Sequence, residues 1–275
     1  MKSIVPITKL VLTVTITLAI TLTFTACEEK KKQDGTTATE PAAAAETQQT
    51  LQEEAAAEVV KGSFTDPRDK KTYKTVKIGE QVWMAENLNY QPNTGNSWCY
   101  GEGGEVSMGF DDKYNHIHAT LSNAEIQANC AKYGRLYDME TAKTVCPAGW
   151  KLPSAADWEK FPQIAGGKSY KECGENGCDE GYKVVWEGTG KKLKAKSGWN
   201  ENKNGTDDFG FSALSGGYRF PDAGVLYWSV GTIGSWHMAD GYGYSIDNDD
   251  RFFPIDYAEG YDSDNFGYSV RCIKD

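Results

Sequence analysis

Histidine is nearly missing from this chain, with three residues in 275, and methionine and proline are sparse at five and nine. No Cys-x-x-Cys spacing occurs. So few imidazoles leave little capacity for histidine chemistry, and the missing cysteine spacing removes the usual zinc signature. Positive charge is also in deficit, 29 Lys and Arg against 39 Asp and Glu, for a net charge of −10 and a pI near 4.9. That balance argues against nucleic acid as a partner, because phosphate binding draws on a Lys/Arg surplus. Aromatic residues, by contrast, reach 12% and glycine stands at 29. With 39% hydrophobic and 25% charged residues, the chain reads as a soluble, loop-rich globular protein with an aromatic core. The cysteine count of seven is odd, so one cysteine must differ from the rest.

The first residues locate it. Lys2 and Lys9 precede the charge-free stretch Leu10–Phe24, which ends in Thr25-Ala26-Cys27 and then Glu28-Glu29-Lys30-Lys31-Lys32. A basic start, a short apolar stretch and small residues before the cut read as a secretory signal peptide. Small residues running straight into a cysteine resemble the lipobox of bacterial lipoproteins, with Phe24 standing where Leu is usual. The resemblance implies residues 1–26 as a cleaved leader and Cys27 as the lipidated first residue. The rival, an uncleaved membrane helix, is disfavoured by the threonine content and the shortness of the stretch. Export would let the other six cysteines pair. Loss of the two leader lysines takes the charge to −12, so lipid, and not attraction to an anionic bilayer, must do the anchoring.

Residues 27–62 contain no aromatic residue and read as a solvated tether. It would reach roughly 120 Å at full extension and about 30–35 Å as a coil. The Glu28-Glu29 pair is similar to the acidic export tags of some surface lipoproteins. Surface-exposed and periplasmic placements at the outer membrane both stay open. Residues 63–275 are long enough for one substantial core. Within them, Thr72–Ile78 and Gln81–Met84 around Gly79-Glu80 predict a β-hairpin. Ser122–Tyr133, closed by Gly134, and Asp138–Val145 predict helices, and Ser154 with Asp157 predicts a capping box for a third. Past Gly166-Gly167 the pattern predicts short strands at Gly210–Leu214, Tyr227–Val230, Ser235–Met238, Arg251–Ile255 and Tyr268–Ile273. The expected class is α+β, a single disulfide-stapled domain of short strands and a few short helices.

Several motifs stand in a fixed order: Phe64-Thr65-Asp66-Pro67-Arg68-Asp69, Val82–Tyr90, Tyr133-Gly134-Arg135-Leu136-Tyr137 and Cys146–Ser154. Gly205–Leu214, Gly216-Gly217-Tyr218-Arg219 and Tyr268-Ser269-Val270-Arg271-Cys272 follow. Together they resemble the Fibrobacter succinogenes major paralogous domain, a family of lipid-anchored or secreted bacterial proteins. The resemblance covers about 210 residues and implies address and architecture, not an activity. Leu152–Glu159 and Ser269–Cys272 are more faintly similar to the formylglycine-generating enzyme and C-type-lectin-like folds. Against the family pattern, Gly101–Asn129 stands as an insertion, and Ser235-Trp236-His237-Met238 replaces a Trp-Trp-Ser run.

Cys173 and Cys178 are expected to form a local disulfide. The other four cysteines allow three pairings, of which Cys99–Cys130, framing the insertion, and Cys146–Cys272 are favoured. His116 and His118 share a strand face as half a metal site, with chance surface histidines the blander reading; His237 is expected to be packed. Gly210-Phe211-Ser212-Ala213-Leu214 lacks the second glycine of a nucleophile elbow, and Gly166-Gly167-Lys168-Ser169 lacks the upstream glycine of a phosphate loop. Asp247, Asp249, Asp250, Asp262 and Asp264 lie in oxygen-rich loops suited to calcium, with turn chemistry as the alternative. Trp98, Trp199, Tyr242 and Tyr244 are candidate sugar-stacking residues, whereas Trp83, Trp150 and Trp158 are expected in the core. No catalytic constellation or cofactor is expected. The leading expectation is a non-catalytic, lipid-anchored envelope protein that presents a domain for a polysaccharide or protein partner. The alternatives are a glycan-acting envelope enzyme using an Asp/Glu pair, or a purely structural surface protein.

Overall fold

The computed structural model describes residues 59–174, 177–221, 226–255 and 266–275. Cys27, the tether up to residue 58, Asp262 and Asp264 lie outside the described residues. The chain begins as an antiparallel meander of β1 (Val60–Thr65), β2 (Thr72–Ile78) and β3 (Gln81–Met84). The β2–β3 turn falls at Gly79, whose φ of +58° suits glycine. β1 starts at Val60, so Val60–Gly62, read from the sequence as tether, are paired in the sheet.

Next come β4 (Ser97–Trp98), the hairpin β5 (Glu105–Phe110) and β6 (His116–Ala119), and α1 (Asn123–Tyr133). α1 starts where the sequence predicts. The Ser122 hydroxyl accepts from Glu125 N, and the Glu125 carboxylate accepts from Ser122 N at 2.8 Å. The helix ends at Gly134, at φ +76°, where a Cβ would lie 2.8 Å from the Leu88 carbonyl. β7 (Leu136–Tyr137), α2 (Met139–Ala142), capped by Asp138, and β8 (Trp150–Lys151) follow. The Ser154–Asp157 capping box opens α3 (Ala155–Trp158), and α4 (Lys160–Ala165) comes directly after. Then come the hairpin β9 (Lys168–Gly174) and β10 (Gly177–Glu187), and α5 (Thr189–Leu193). The chain finishes with β11 (Gly216–Phe220), β12 (Leu226–Val230), β13 (Ile233–His237), β14 (Gly243–Asp247), β15 (Phe252–Pro254), β16 (Tyr268–Ser269) and β17 (Ile273–Lys274).

Among the described residues the strands form two sheets. The smaller has the order β1-β2-β3-β17-β8, so the last strand is inserted beside the first meander. The larger runs β6-β5-β12-β11-β13-β14-β15-β10-β9, with β16, β7 and β4 branching from β13. Strand thus outweighs helix within the α+β class. Trp158, fully buried, sits amid the rings of Trp83, Phe161, Phe211, Trp236, Tyr244 and Phe252. Full burial of a large apolar side chain contributes about 1.5–3 kcal/mol. All three expected disulfides are formed, Cys99–Cys130, Cys146–Cys272 and Cys173–Cys178.

Three strand expectations are corrected. Gly210–Leu214 is not a strand; its one ladder contact is a parallel bridge from Ala213 to Lys194. Tyr268–Ile273 divides into β16 and β17, which join different sheets. Arg251–Ile255 shortens to Phe252–Pro254. Helix also persists past Gly166, as α5, where only strands were expected.

Candidate functional site

The segment after β3, Glu86-Asn87-Leu88-Asn89, lies against α1 and is fixed by side-chain and backbone bonds together. Asn87 is buried. Its amide donates to the Tyr133 carbonyl at 2.8 Å and the Ser269 hydroxyl at 3.1 Å. Its oxygen accepts from Trp236 Nε1 and Arg271 Nε, both at 2.8 Å. Leu88 N donates to the Val270 carbonyl, and Arg135 N donates to the Leu88 carbonyl. Asn89 Nδ2 donates to the Cys130 carbonyl at 2.9 Å, its backbone N–H donates to the Tyr73 hydroxyl, and Lys71 Nζ donates to its carbonyl. Burial pushes the Tyr73 phenol up to about 12, so it stays protonated near neutrality.

Two adjoining clefts open along this segment and share Lys71, Asn89, Cys130 and Ala131. One, of about 240 Å³, adds Tyr73, Glu86, Asn87 and Lys132. The other, of about 280 Å³, adds Gln91, Glu102, Gln127 and Arg135 beside the Cys99–Cys130 disulfide. Each is lined by a single carboxylate residue, Glu86 in the first and Glu102 in the second. Glu86 accepts from Lys74 N and Glu102 from Cys99 N, each at 2.7 Å. The lining is thus made of amides and cations with short polar reach, suited to hydroxyls and anions.

The residues proposed from sequence for sugar stacking lie elsewhere and do not form one surface. Trp199 and Tyr244 are core, 4% and 3% exposed. Trp199 Nε1 donates to the Ala213 carbonyl, and the Tyr244 ring stacks on Phe252 at 4.8 Å. Their polar sequence surroundings concealed that burial, so the stacking role is withdrawn for both. Trp98 is half-buried, with the Arg219 guanidinium 3.9 Å from its ring centre. Tyr242 is half-buried in the turn between β13 and β14.

The loop of Asp247, Asn248, Asp249 and Asp250 is filled by protein cations. The fully buried Lys194 ammonium pairs with Asp250 at 2.5 Å and donates to the Asp247 and Asn248 carbonyls at 3.2 and 3.3 Å. Burial lowers its pKa while Asp250 opposes that shift. The Asp247 carboxylate accepts from Asp249 N, Arg251 N and Arg251 Nε, and Asp249 faces Lys203 at 3.5 Å. The oxygens expected for calcium are therefore engaged by lysine and arginine. Among the described residues, no group of three or more His, Cys, Asp or Glu is arranged to hold a metal. His116 and His118 do share a face, with rings 5.7 Å apart. His118 Nδ1 lies 3.3 Å from Glu105, and His116 meets Trp228 edge-on at 4.9 Å. His237 is packed as expected, with its Nε2 2.7 Å from the Tyr137 carbonyl.

Against known proteins, the family model for the Fibrobacter succinogenes major domain matches residues 76–274. The chain belongs to this family. No curated protein and no solved structure matches it. The family's ordered motifs are mostly scaffold here. The Val82–Tyr90 stretch supplies core Trp83 and the Asn87 hub, and Cys146 and Cys272 form the long-range disulfide. Buried Arg271 presses on the Phe211 ring at 4.2 Å and donates to the carbonyls of Phe211 and Ser212. The stretch Gly101–Asn129 contributes Glu102 and Gln127 to the second cleft. Sequence reasoning missed both clefts, because no motif marks residues that converge from β2, the β3 exit and α1. The paired cysteines framing that stretch were the one available signal.

Proposed function

We propose that this protein is a lipid-anchored cell-envelope protein of the outer membrane whose domain binds, without catalysis, a polysaccharide or surface protein in the cleft pair beside α1. The cleft lining carries this reading: amides, lysines and an arginine converge on two open hollows, with one carboxylate residue in each. Glycoside hydrolysis uses two facing carboxylates about 5–10 Å apart, and a single Glu per cleft favours binding over bond cleavage. Polar groups fixed by a buried network match what hydroxyl-rich ligands need, since little ordering cost remains at binding. Among the described residues no helix is long and apolar enough to cross a membrane. A C-type-lectin-like arrangement is favoured by β17, which pairs between β3 and β8 and closes the chain's end onto its beginning.

Co-sedimentation of the full chain with a panel of insoluble polysaccharides tests the binding half. Retention weakened by Asn89→Ala supports it, and no retention on any polysaccharide removes the polysaccharide reading. Membrane fractionation tests the anchor. Cys27→Ser is expected to release the protein into the soluble fraction, and an unchanged membrane fraction would refute lipidation at Cys27.

A further inference from the structure

The Arg135 cleft also specifies a ligand chemistry, an assignment that rests on the binding reading above. Arg135 follows α1 by one glycine and is 5% exposed, yet it lines an open cleft. Its Nη1 lies 3.4 and 3.7 Å from the sulfurs of Cys99 and Cys130, and 3.5 Å from Glu102. Its Nε has no hydrogen-bond partner. The guanidinium therefore faces a neutral disulfide and one long ion pair, and that carboxylate is itself held by Cys99 N. A buried guanidinium with donors left over is matched by a planar, two-oxygen anion.

The surroundings narrow the class. Lys71 adds a second cation at the rim, while also donating to the Asn89 carbonyl and lying 3.6 Å from Asp69. Asn89, Gln91 and Gln127 supply amides for hydroxyl groups. No aromatic side chain lines this cleft, so ring stacking is not its means of recognition. Residues 63–275 carry 23 Lys and Arg against 31 Asp and Glu, a net −8, whereas the cleft holds two cations against one carboxylate. Diffuse attraction to an acidic polymer is thus unfavourable over the molecule as a whole, while this cleft, like the adjoining one with Lys71 and Lys132 against Glu86, carries a local excess of positive charge in its lining. We propose that the Arg135 cleft binds a carboxylated sugar unit of an acidic polysaccharide, with Arg135 on the carboxylate and the amides on ring hydroxyls.

The test compares binding of the full chain to polygalacturonate and to its methyl ester, by calorimetry at one fixed ionic strength. The acid form is expected to bind at least about tenfold more tightly, a difference of about 1.4 kcal/mol. Gln127→Glu, on the exposed face of α1, is expected to abolish that preference without changing the melting temperature. Arg135→Gln should abolish it too, and Gln127→Glu keeps the test decisive if Arg135→Gln fails to fold. Equal affinity for acid and ester, or a preference that survives Gln127→Glu, overturns the carboxylate assignment and leaves neutral-polysaccharide binding standing. Failure to bind the acid, the ester and every neutral polysaccharide overturns the carboxylate assignment and the polysaccharide reading together.

Discussion

Asn87 uses both amide hydrogens and both oxygen lone pairs inside the protein, on three separate parts of the chain. Removing it would leave an indole N–H and a guanidinium N–H buried without an acceptor. Unmet buried donors cost about 1–3 kcal/mol each, more when charged, so Asn87→Ala is expected to destabilise by about 3–5 kcal/mol, read as a lower urea midpoint. His237 gives the pH counterpart. Burial pushes its pKa down to about 4, against about 6.5 in an unfolded chain. Between those values the unfolded state binds a proton that the folded state refuses, so stability falls as pH drops through that window. The loss totals about 3 kcal/mol by pH 4 and then levels off for this group. Urea titrations from pH 7.5 down to 4 should show the slope, and His237→Gln should flatten it. Packing of His237 was readable from its aromatic neighbours; the role of Asn87 was not, because its partners lie 46, 149, 182 and 184 residues away.

Elements set by local chemistry were legible, and elements set by distant partners were not. Ser154 with Asp157 announces its helix through a capping box, and Ser122–Tyr133 announces its own through Gly134 at its end; both helices form, the latter also opening on a Ser122–Glu125 capping box. Ser122→Ala should cost about 1 kcal/mol, and Glu125→Ala on that background should cost less than it does alone, because the two caps are reciprocal. Equilibrium unfolding of the two single variants and the double variant measures that coupling. Gly210–Leu214 has a strand's composition, yet Arg271 holds the carbonyls of Phe211 and Ser212 from 60 and 59 residues away. With those acceptors taken and Ser212 at φ +52°, the segment cannot extend into a ladder. The β9–β10 hairpin was hidden for the opposite reason. Its Lys-, Glu- and Gly-rich strands show little apolar alternation, and it is joined by Cys173–Cys178 and by cross-strand pairs such as Lys183 with Glu172 at 3.4 Å. The cleft pair falls in the second class, since its walls meet only after α1 packs on the β3 exit.

At the scale of the whole molecule, a sheet that takes its last strand from the chain's end depends on bringing residues 83 and 273 together. That closure orders nearly the entire domain and carries a large entropic cost. The Cys146–Cys272 bridge spans 126 residues and restricts the same closure in the unfolded chain, whereas Cys99–Cys130 spans 31 and Cys173–Cys178 only 5. The chain-entropy treatment assigns these about 5, 4 and 2 kcal/mol. Paired Cys→Ala variants should therefore lower the urea midpoint in that order. Cys173 with Cys178 should cost least for a second reason, as it staples a hairpin already joined by the β9–β10 ladder. The bridge beside Arg135 adds a functional readout to the middle member of the series. Cys99→Ala with Cys130→Ala should weaken retention on polysaccharide as well as stability, because both cysteines line the cleft and their sulfurs adjoin the Arg135 guanidinium. The Cys146 and Cys272 pair, which lines neither cleft, should reduce stability alone once binding is measured at a temperature where the variant is folded. Equal losses of binding in both variants would mean that the cleft answers to global stability and not to the disulfide that lines it.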